Sequence, residues 1–304
     1  MDNYLVLSRI GQGSYGVVLK ARNVQTSEIV ALKKVNLRSR SRLDILREFS
    51  TLRNCHSKHI VKLIDIFCSQ DTLTMVMEFV ERNLKVWTVI NDPNRVNSET
   101  SARFYFSQLL RGVRHLHQLG IMHRDLKPEN VLVSGGDVVK IADFGQACLY
   151  FADDLNKEYE EQVATRWYRA PELLFGTRLY TPTVDIWATG CILAEIWNRS
   201  PLFNGRNDFE QIAKIFEILG TPTAESWPTW TKLADSQKVI FEERKEVDNW
   251  SNVVPGSSPL FISLLRLQLR LCGSLRSSAD SLLQHEFFTF NTASSLPKSN
   301  SSKF

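Results

Sequence analysis

The sequence predicts an α+β fold of two lobes, a small five-stranded β lobe with one helix and a larger, mainly helical lobe. Apolar runs of strand length, separated by glycine or polar turns, fill residues 4–80, and such runs are typical of strands. After residue 80 apolar residues recur at helical spacing instead, which predicts amphipathic helices. We place a short hinge there, between an N-terminal lobe of residues 1–80 and a C-terminal lobe of residues 81–290.

Five strands and one helix are predicted in the small lobe. The apolar runs that predict strands cover residues 4–10, 16–21, 29–35, 60–67 and 73–80. Between the third and fourth runs, Ile45, Phe49 and Leu52 recur at the spacing of one helix face within residues 42–55. Glu48 lies on this same helix.

The larger lobe is predicted to be built from helices. Phe106, Leu109, Val113 and Leu116 form one apolar face, and Gly120 follows where a helix C-cap belongs. The other helical patterns cover residues 183–197, 207–219, 259–270 and 278–286. The stretch 291–304 is rich in Ser, Asn and Lys, and this composition predicts a disordered tail.

Composition and charge exclude several classes of protein. The 304 residues carry a formal net charge of +4, from 37 basic and 33 acidic residues, which is too mild to predict nucleic-acid binding. The five cysteines are scattered without CxxC spacing, so we expect reduced thiols and neither a disulfide framework nor a zinc site. The N-terminus lacks a signal-peptide pattern. The apolar-rich run 186–197 contains Glu195 and is too short for a membrane span. We therefore expect a soluble, cytoplasmic protein.

A charged stretch in the large lobe carries the strongest chemical signal. Residues 123–130 read His-Arg-Asp-Leu-Lys-Pro-Glu-Asn, and Asp143 begins an Asp-Phe-Gly triplet. Asn130 and Asp143 are predicted to hold Mg²⁺ beside the phosphates of ATP. Asp125 is predicted to accept the proton of a substrate hydroxyl, and Lys127 to neutralise charge on the phosphoryl group. The alternative is that these residues are only structural caps and turns.

A glycine-rich loop and a lysine in the small lobe fit the same chemistry. Gly11, Gly13 and Gly16 lie between the first two predicted strands, and glycines let a backbone approach phosphates closely. The strand–loop–strand setting argues against a dinucleotide-binding fold, in which a helix should follow. A plain hairpin turn is the alternative.

Lys33 lies on the third predicted strand. Side chains alternate along a strand, so Ala31 and Lys33 share a face. The lysine is predicted to reach the α- and β-phosphates, held by an ion pair with Glu48. The alternative is a solvated strand lysine.

Together these residues resemble eukaryotic protein kinases over about residues 4–288. The segment 165–174, Thr-Arg-Trp-Tyr-Arg-Ala-Pro-Glu-Leu-Leu, looks like the group of cyclin-dependent and mitogen-activated kinases. Members of that group phosphorylate Ser or Thr, usually followed by Pro. Longer blocks resemble the cell-cycle-related kinase family, a cyclin-dependent-kinase-like family; they are residues 28–35, 162–168, 200–203, 218–222 and 283–288.

The resemblance implies an ATP site and several structural contacts. Adenine is expected between Ile10, Val18, Ala31 and Leu132, with Met77 as gatekeeper and the backbone of Glu78 and Val80 at the adenine edge. Glu172 is expected to pair with Arg276. Asp185 is expected to tie a helix to the catalytic-loop backbone. His123 and Phe144 are expected to be packing residues, with Leu52 and Leu63.

The resemblance to the cell-cycle-related family also implies a cellular role. It implies action in cilium assembly and length control, with other kinases of the same broad group as substrates. The cilium and the nucleus are then possible locations beside the cytoplasm.

One departure from the family lies on the segment after Asp143. The family usually has a phosphorylatable Thr where this chain has Glu160. A carboxylate carries less charge than a phosphate, yet it can pair with Arg124 and Arg47. A third arginine of the family is replaced by Cys148. We therefore hypothesise that activation does not need phosphorylation at residue 160; drift on an exposed loop is the alternative.

Three smaller departures concern partners and the nucleotide. The segment 36–46 is shorter and more basic than the cyclin-docking stretch of relatives, so a standard cyclin partner is doubtful. Asn83 replaces the usual Asp at the ATP ribose and still offers hydrogen bonds. Ser14 and Tyr15 resemble an inhibitory phosphorylation pair.

Two other classes of protein compete with an active kinase. A pseudokinase could bind ATP or partners as a scaffold, although the residues needed for catalysis, Lys33, Asp125, Asn130 and Asp143, are all present. A small-molecule kinase is the third option; the Ala-Pro-Glu segment 170–172 and the large helical lobe argue against it.

Overall fold

An antiparallel five-stranded sheet and one helix form the small lobe. The computed structural model describes residues 3–13, 16–38, 42–85, 98–154, 156–236 and 238–289. The sheet has the order β1-β2-β3-β5-β4. Its strands are β1 (Tyr4–Gly13), β2 (Gly16–Asn23), β3 (Ile29–Asn36), β4 (Leu63–Ser69) and β5 (Thr72–Glu78). The predicted number of strands is confirmed.

Strand β3 lies at the centre of this sheet. It pairs with β2 on one side and β5 on the other, so that Lys33 faces Val18 and Met75 across the two ladders. Pairing on both edges fixes the strand in position. The Lys33 side chain is therefore anchored on a backbone that is hydrogen-bonded along both edges.

The hairpin between β1 and β2 is tighter than the sequence predicted. We expected β1 to end at Ile10, but pairing continues to Gly13, which faces Gly16. Gly16 has φ +149°, and a Cβ there would collide with the carbonyl oxygen of Lys34. Only glycine fits such a close approach. Ser14 and Tyr15, the predicted phosphorylation pair, lie outside the described residues.

Helix α1 (Arg42–Asn54) contacts residues 144–146 of the second lobe, and its buried apolar residues belong to the same core cluster as Phe144. Ile45 and Leu52 of the predicted face are buried, and so is Glu48, whereas Phe49 is only half-buried. The side chain of Arg47 and residues 39–41 lie outside the described part of the chain, so the predicted Arg47 contact is not among the contacts described.

The large lobe is mainly helical. Its helices are α2 (Glu99–Gln118), α3 (Pro171–Leu174), α4 (Thr183–Asn198), α5 (Asp208–Leu219), α6 (Pro259–Gln268), α7 (Ala279–Leu283) and α8 (Glu286–Thr289). The predicted helix over 278–286 is wrong in its continuity. The helix is interrupted after Leu283, and the His285 ring accepts a hydrogen bond from the backbone N–H of Phe287 at the start of α8.

Five very short strands in this lobe were not predicted. They are β6 (Arg82–Asn83), β7 (Ile121–Met122), β8 (Val131–Val133), β9 (Val139–Ile141) and β10 (Cys148–Leu149). β7 and β8 flank the segment 123–130, and β9 and β10 flank Asp143. These small sheets hold both charged motifs in place.

A continuous core fills the large lobe and reaches α1. Trp187 on α4 is fully buried and stacks with Phe203, their ring centroids 5.7 Å apart. Across the described ranges, no helix combines the length and apolarity needed to cross a bilayer. The predicted tail 291–304 lies outside the described residues, and the lobe boundary near residue 80 stays a prediction.

Candidate active site

The segment 123–130 forms a loop whose backbone is tied to helix α4. The N–H groups of His123 and Arg124 donate to the two carboxylate oxygens of Asp185, at 2.9 and 2.8 Å. This confirms the expected tie. Burial would raise the pKa of Asp185, but its contacts with His117 and His123 together outweigh burial and lower the pKa. Arg124 has φ +65°, a strained conformation that such ties maintain.

Asp125 lies at the centre of a network of donors. Its Oδ2 accepts from Lys127 Nζ at 2.7 Å, and its Oδ1 accepts from the Thr165 N–H and hydroxyl at 2.9 and 2.8 Å. Asn130 Nδ2 donates to the Asp125 carbonyl at 2.8 Å. The three residues predicted for chemistry in this loop are therefore brought together, with both carboxylate oxygens of Asp125 held in place.

Lys33 joins the two lobes through two carboxylates. Its Nζ lies 2.6 Å from Glu48 Oε1 and 2.7 Å from Asp143 Oδ1, so the predicted Lys33–Glu48 ion pair is present. Burial opposes the charge on Lys33, yet Asp143 and Glu48 raise its pKa. Burial would likewise raise the pKa of Asp143, but Lys33 lowers it to about 2. Lys33 and Asp143 are therefore both charged at neutral pH, and Glu48 contacts the same ammonium group.

A cleft of about 570 Å³ lies between the lobes. Its size is in the range of small-molecule sites. The predicted ATP-site residues that line it are Ile10, Gly11, Gly16, Val18, Ala31, Lys33, Met77, Glu78, Val80, Leu132 and Asp143, and Asn83 and Asn130 line it too. Gly13 lies in the adjoining hairpin. The individual roles predicted for these residues stay predictions.

Asn130 and Asp143 fit the predicted Mg²⁺ site. The Asn130 amide donates through Nδ2 to Asp125, which orients Oδ1 as its remaining acceptor. Asp143 meets Lys33 through Oδ1 and has a second carboxylate oxygen. Mg²⁺ prefers oxygen ligands and usually combines one or two carboxylates with phosphates and water. Such a donor set suits a metal held jointly with ATP.

His123 is a packing residue, as expected. It is fully buried, its ring lies edge-on to Phe144 with centroids 5.0 Å apart, and its Nε2 is 3.1 Å from the Ala142 carbonyl. These contacts connect the loop to the Asp-Phe-Gly segment. Phe144 and Leu52 belong to the same buried core cluster, with Leu63 packed against it.

Glu160 pairs with the buried arginine of the loop. Arg124 Nη2 lies 2.8 Å from Glu160 Oε2, its Nε donates to the Gln146 carbonyl, and its Nη1 donates to the Tyr180 hydroxyl. The Tyr180 hydroxyl in turn donates to the Glu160 carbonyl at 2.6 Å. Cys148 is buried beside this network. A carboxylate at residue 160 thus connects the segment to the catalytic loop.

Arg169 donates hydrogen bonds to two backbone carbonyls just before residue 165. Its Nε donates to the Val163 carbonyl at 2.9 Å, and its Nη2 donates to the Ala164 carbonyl at 3.0 Å. Ala164 has φ +66°, a conformation that is uncommon for a residue with a Cβ. The guanidinium therefore holds an unusual backbone turn next to Asp125.

Sequence reasoning missed three contributors to the site. Thr165 bridges Asp125 and Lys127, since its hydroxyl donates to the former and accepts from the latter at 2.9 Å. Tyr180 and Gln146 hold Arg124. Thr165 begins the segment on which the family resemblance rests, so the signal was present for that residue. Tyr180 and Gln146 had no such signal.

This arrangement of lobes, cleft and charged loop is that of a protein kinase. Residues 4–288 match the family model described as protein kinase domain. The chain belongs to this family, and it is a protein serine/threonine kinase.

Its relatives narrow the group. The chain is 42% identical to a zebrafish protein (Danio rerio) named cyclin-dependent kinase 20, over 95% of this chain and 84% of that one. It is 41% identical to the human protein of the same name, over 95% of this chain and 83% of the relative. The resemblance to the cyclin-dependent-kinase-like, cell-cycle-related family is thereby confirmed.

Proposed function

We propose that this chain is an active kinase that transfers the γ-phosphoryl group of ATP, with Mg²⁺, to Ser or Thr side chains of proteins. One observation carries the proposal: Lys33 contacts Glu48 and Asp143 together. Because the first carboxylate lies on α1 and the second follows β9, the phosphate-binding lysine and a predicted metal ligand are already aligned across the cleft.

Each side chain of the site has a task in this proposal. Asp125 orients the substrate hydroxyl and accepts its proton, and Lys127, 2.7 Å from Asp125, places a positive charge beside the transferring group. Lys33 holds the phosphates of ATP. Held by Asn130 and Asp143, Mg²⁺ would neutralise charge on the phosphates. The rate gain comes mainly from positioning and electrostatics.

Phosphate transfer to a basic protein tests the proposal. The Asp125→Asn variant keeps the size of the side chain but cannot accept the proton, and we expect its transfer rate to fall by about a hundredfold or more. Asp280→Asn is the matched control, since Asp280 is an exposed residue in a distant helix. Equal transfer by wild type and Asp125→Asn would favour an inactive scaffold that binds ATP or partners.

We also propose that the substrate residue after the phosphorylated Ser or Thr is proline. Arg169 donates to the carbonyls of Val163 and Ala164, and in this proposal it keeps them directed at its guanidinium instead of at a substrate N–H. A residue other than proline would bury a backbone N–H without a hydrogen-bond partner, which costs free energy. Proline has no backbone N–H and avoids this cost.

Paired peptides that differ only in Pro or Ala after the Ser measure this preference as a ratio of kcat/KM. The Arg169→Lys variant cannot hold both carbonyls, because a lysine lacks the planar fork of arginine. We expect the Pro-to-Ala ratio to fall severalfold in this variant. An unchanged ratio would show that Arg169 does not cause the preference for proline.

We propose a role in cilium assembly and length control, exerted in the cytoplasm, at the cilium or in the nucleus, with other kinases of the same broad group as substrates. The support is the likeness of sequence blocks to the cell-cycle-related family. Depleting the protein and rescuing with Asp125→Asn tests it. Cilium length restored by the inactive variant, or unchanged on depletion, would contradict a catalytic role there.

A standard cyclin is not part of the proposal. The shortened, basic segment 36–46 supports this, although residues 39–41 lie outside the described ranges. Purification of the tagged chain from its own cells, followed by identification of bound proteins, is the test. A stoichiometric cyclin in the preparation would contradict it.

A further inference from the structure

The first turn of helix α5 contacts the segment that leads to Arg169. Asp208 is the first residue of this helix, and its Oδ1 accepts a hydrogen bond from Arg166 Nε at 2.7 Å. Its Oδ2 lies 3.6 Å from Arg169 Nη1. One carboxylate therefore faces two guanidinium groups, and one of these is the group that donates to the carbonyls of Val163 and Ala164.

The position of Asp208 is fixed by the start of the helix. The side chain of Asn207 caps α5, and the fully buried Gln211 accepts a hydrogen bond from the Gly205 N–H at 2.8 Å. The Gly205 carbonyl in turn accepts from the Trp167 indole at 3.1 Å. A negative charge in the first turn of a helix is also stabilised by the helix dipole. Asp208 is thus presented to the two arginines from a well-supported element.

The guanidinium of Arg169 is directed by contacts at all three of its nitrogens. Nε and Nη2 donate to uncharged carbonyls, whereas Nη1 faces the Asp208 carboxylate. The Arg169 side chain is only 12% exposed. Burial lowers the pKa of Arg169, and Asp208 is the neighbouring charge that opposes this shift most strongly. Asp208 is therefore the main counter-ion of this guanidinium.

We propose that Asp208 is a positioning residue for the preference for proline after the phosphorylated Ser or Thr. This inference rests on the proposed preference itself. With Nη1 held by Asp208, Arg169 keeps its other two nitrogens on the carbonyls of Val163 and Ala164. Without the carboxylate charge the guanidinium is free to turn, and the released carbonyls then accept a substrate N–H. Asp208 touches no substrate atom and acts through Arg169.

Paired peptides with Pro or Ala after the Ser test this role through their kcat/KM values. Asp208→Asn keeps the shape of the side chain and removes its charge. We expect the Pro-to-Ala ratio to fall severalfold, mainly because kcat/KM rises for the Ala peptide, whose N–H gains an acceptor. A purely structural role of Asp208 would lower both values together and leave the ratio unchanged. That result would overturn the proposal.

Two further variants separate Asp208 from its surroundings. Glu210→Gln removes a carboxylate from the same helical turn, where it pairs with the exposed Arg206 at 3.0 Å, and it should leave the ratio unchanged. Asp208→Glu retains the charge and should restore part of the ratio. Equal falls in Asp208→Asn and Glu210→Gln, or no recovery in Asp208→Glu, would contradict the role of the Asp208 charge.

A double variant shows through which arginine Asp208 acts. Arg169→Lys alone is expected to lower the ratio, and adding Asp208→Asn should lower it no further, because changes within one contact network do not add. Arg166→Met should leave the ratio unchanged. Additive falls in the double variant, or a fall in Arg166→Met equal to that in Asp208→Asn, would overturn the proposed route through Arg169.

Failure of the proposed preference is recognised separately from failure of this inference. Equal kcat/KM values of wild type for the two peptides, or no transfer to either, would contradict the proposed function whatever Asp208 does. Hydrogen exchange then tests the positioning alone. Amides of residues 163–169 should exchange faster in Asp208→Asn than in wild type or in Glu210→Gln. Unchanged exchange would overturn the positioning role as well.

Discussion

At residue 160 a carboxylate ends a chain of hydrogen bonds that starts at a buried guanidinium. The Arg124 side chain is only 4% exposed, whereas Glu160 is 54% exposed. A buried arginine needs partners for its donors, because an unpaired buried charge is costly. Gln146 and Tyr180 supply two of these partners, and Glu160 supplies the one that carries charge. This geometry supports the hypothesis that a carboxylate takes the place of a phosphate.

We predict that Glu160→Ala lowers both stability and activity moderately. A hydrogen bond to a charged group is worth about 1.5–3 kcal/mol, but solvent around the half-exposed Glu160 reduces this to about 0.5–1 kcal/mol. Urea unfolding measures the stability. Phosphate transfer should fall severalfold, because the segment that holds Thr165 against Asp125 loses one tie to the catalytic loop.

Glu158→Ala is the control for that variant. Glu158 lies on the same segment, is 60% exposed, and pairs with Arg178 at 3.4 Å. We expect less than about 0.5 kcal/mol and unchanged transfer, as for most exposed ion pairs. Activity of Glu160→Ala equal to wild type would count against Glu160 as the substitute for a phosphate.

At the scale of elements, one ion pair fastens the short helix α3 to the chain after α6. Arg276 donates to both carboxylate oxygens of Glu172, at 2.6 and 2.7 Å. The same guanidinium donates to the carbonyls of Thr183, Arg270 and Leu271. Because the Arg276 side chain is completely buried, these contacts stabilise helix α3, the start of helix α4 and the chain after helix α6 against one another.

We predict that Arg276→Met destabilises the fold by about 3–5 kcal/mol, because Glu172 is left buried without a counter-ion. Urea unfolding measures the change. Arg178→Met is the matched control at a 57% exposed arginine, where we expect a change below about 0.5 kcal/mol. Equal destabilisation of the two variants would show that burial of the ion pair does not decide its contribution.

The elements that could be predicted are those long enough to repeat their pattern of apolar residues several times. Helix α1 and strands β1 to β5 repeat apolar residues often enough to be recognised, and so do α4 and α5. Strands of two or three residues, such as β7 and β8, are too short for the alternation of apolar and polar residues to repeat. They exist because the tertiary structure brings two short stretches side by side. The break between α7 and α8 was also hidden, since the cap formed by His285 is visible only in three dimensions.

The residues of the candidate site also fall into those that the sequence predicts and those that it does not. Asp125, Lys127 and Asn130 are close in sequence, so their spacing alone indicates a common task. Tyr180 lies 56 residues from Arg124 in the chain, and nothing in its neighbourhood indicates that contact. The Glu172–Arg276 pair spans 104 residues; only the likeness to a family predicted it.

At the scale of the whole molecule, Lys33 is the charged contact between the lobes on which the proposed activity depends. It belongs to the small lobe, Glu48 to the helix behind the cleft, and Asp143 to the large lobe. The Lys33 and Glu48 side chains are 8% and 1% exposed. Such a pair combines a structural task, neutralising a buried carboxylate, with a chemical one, and two variants can separate them.

Lys33→Met should abolish the positive charge and take the ammonium group away from the buried Glu48, which costs about 3–5 kcal/mol of stability. Adding Glu48→Leu replaces the other half of the buried pair, and we expect most of the stability to return, since an apolar replacement of a buried pair is often neutral. Asp143, 43% exposed, keeps access to water in both variants. Urea unfolding measures these changes.

Activity should not return with stability. Without Lys33 the phosphates of ATP lose their cationic contact from strand β3, so transfer should stay about a hundredfold or more below wild type in the double variant. Recovery of both properties would mean that Lys33 is structural only, and the proposed mechanism would lose its phosphate-binding cation. Failure to recover stability would place the cost at Asp143 instead, and Lys33→Met with Asp143→Asn would then restore it.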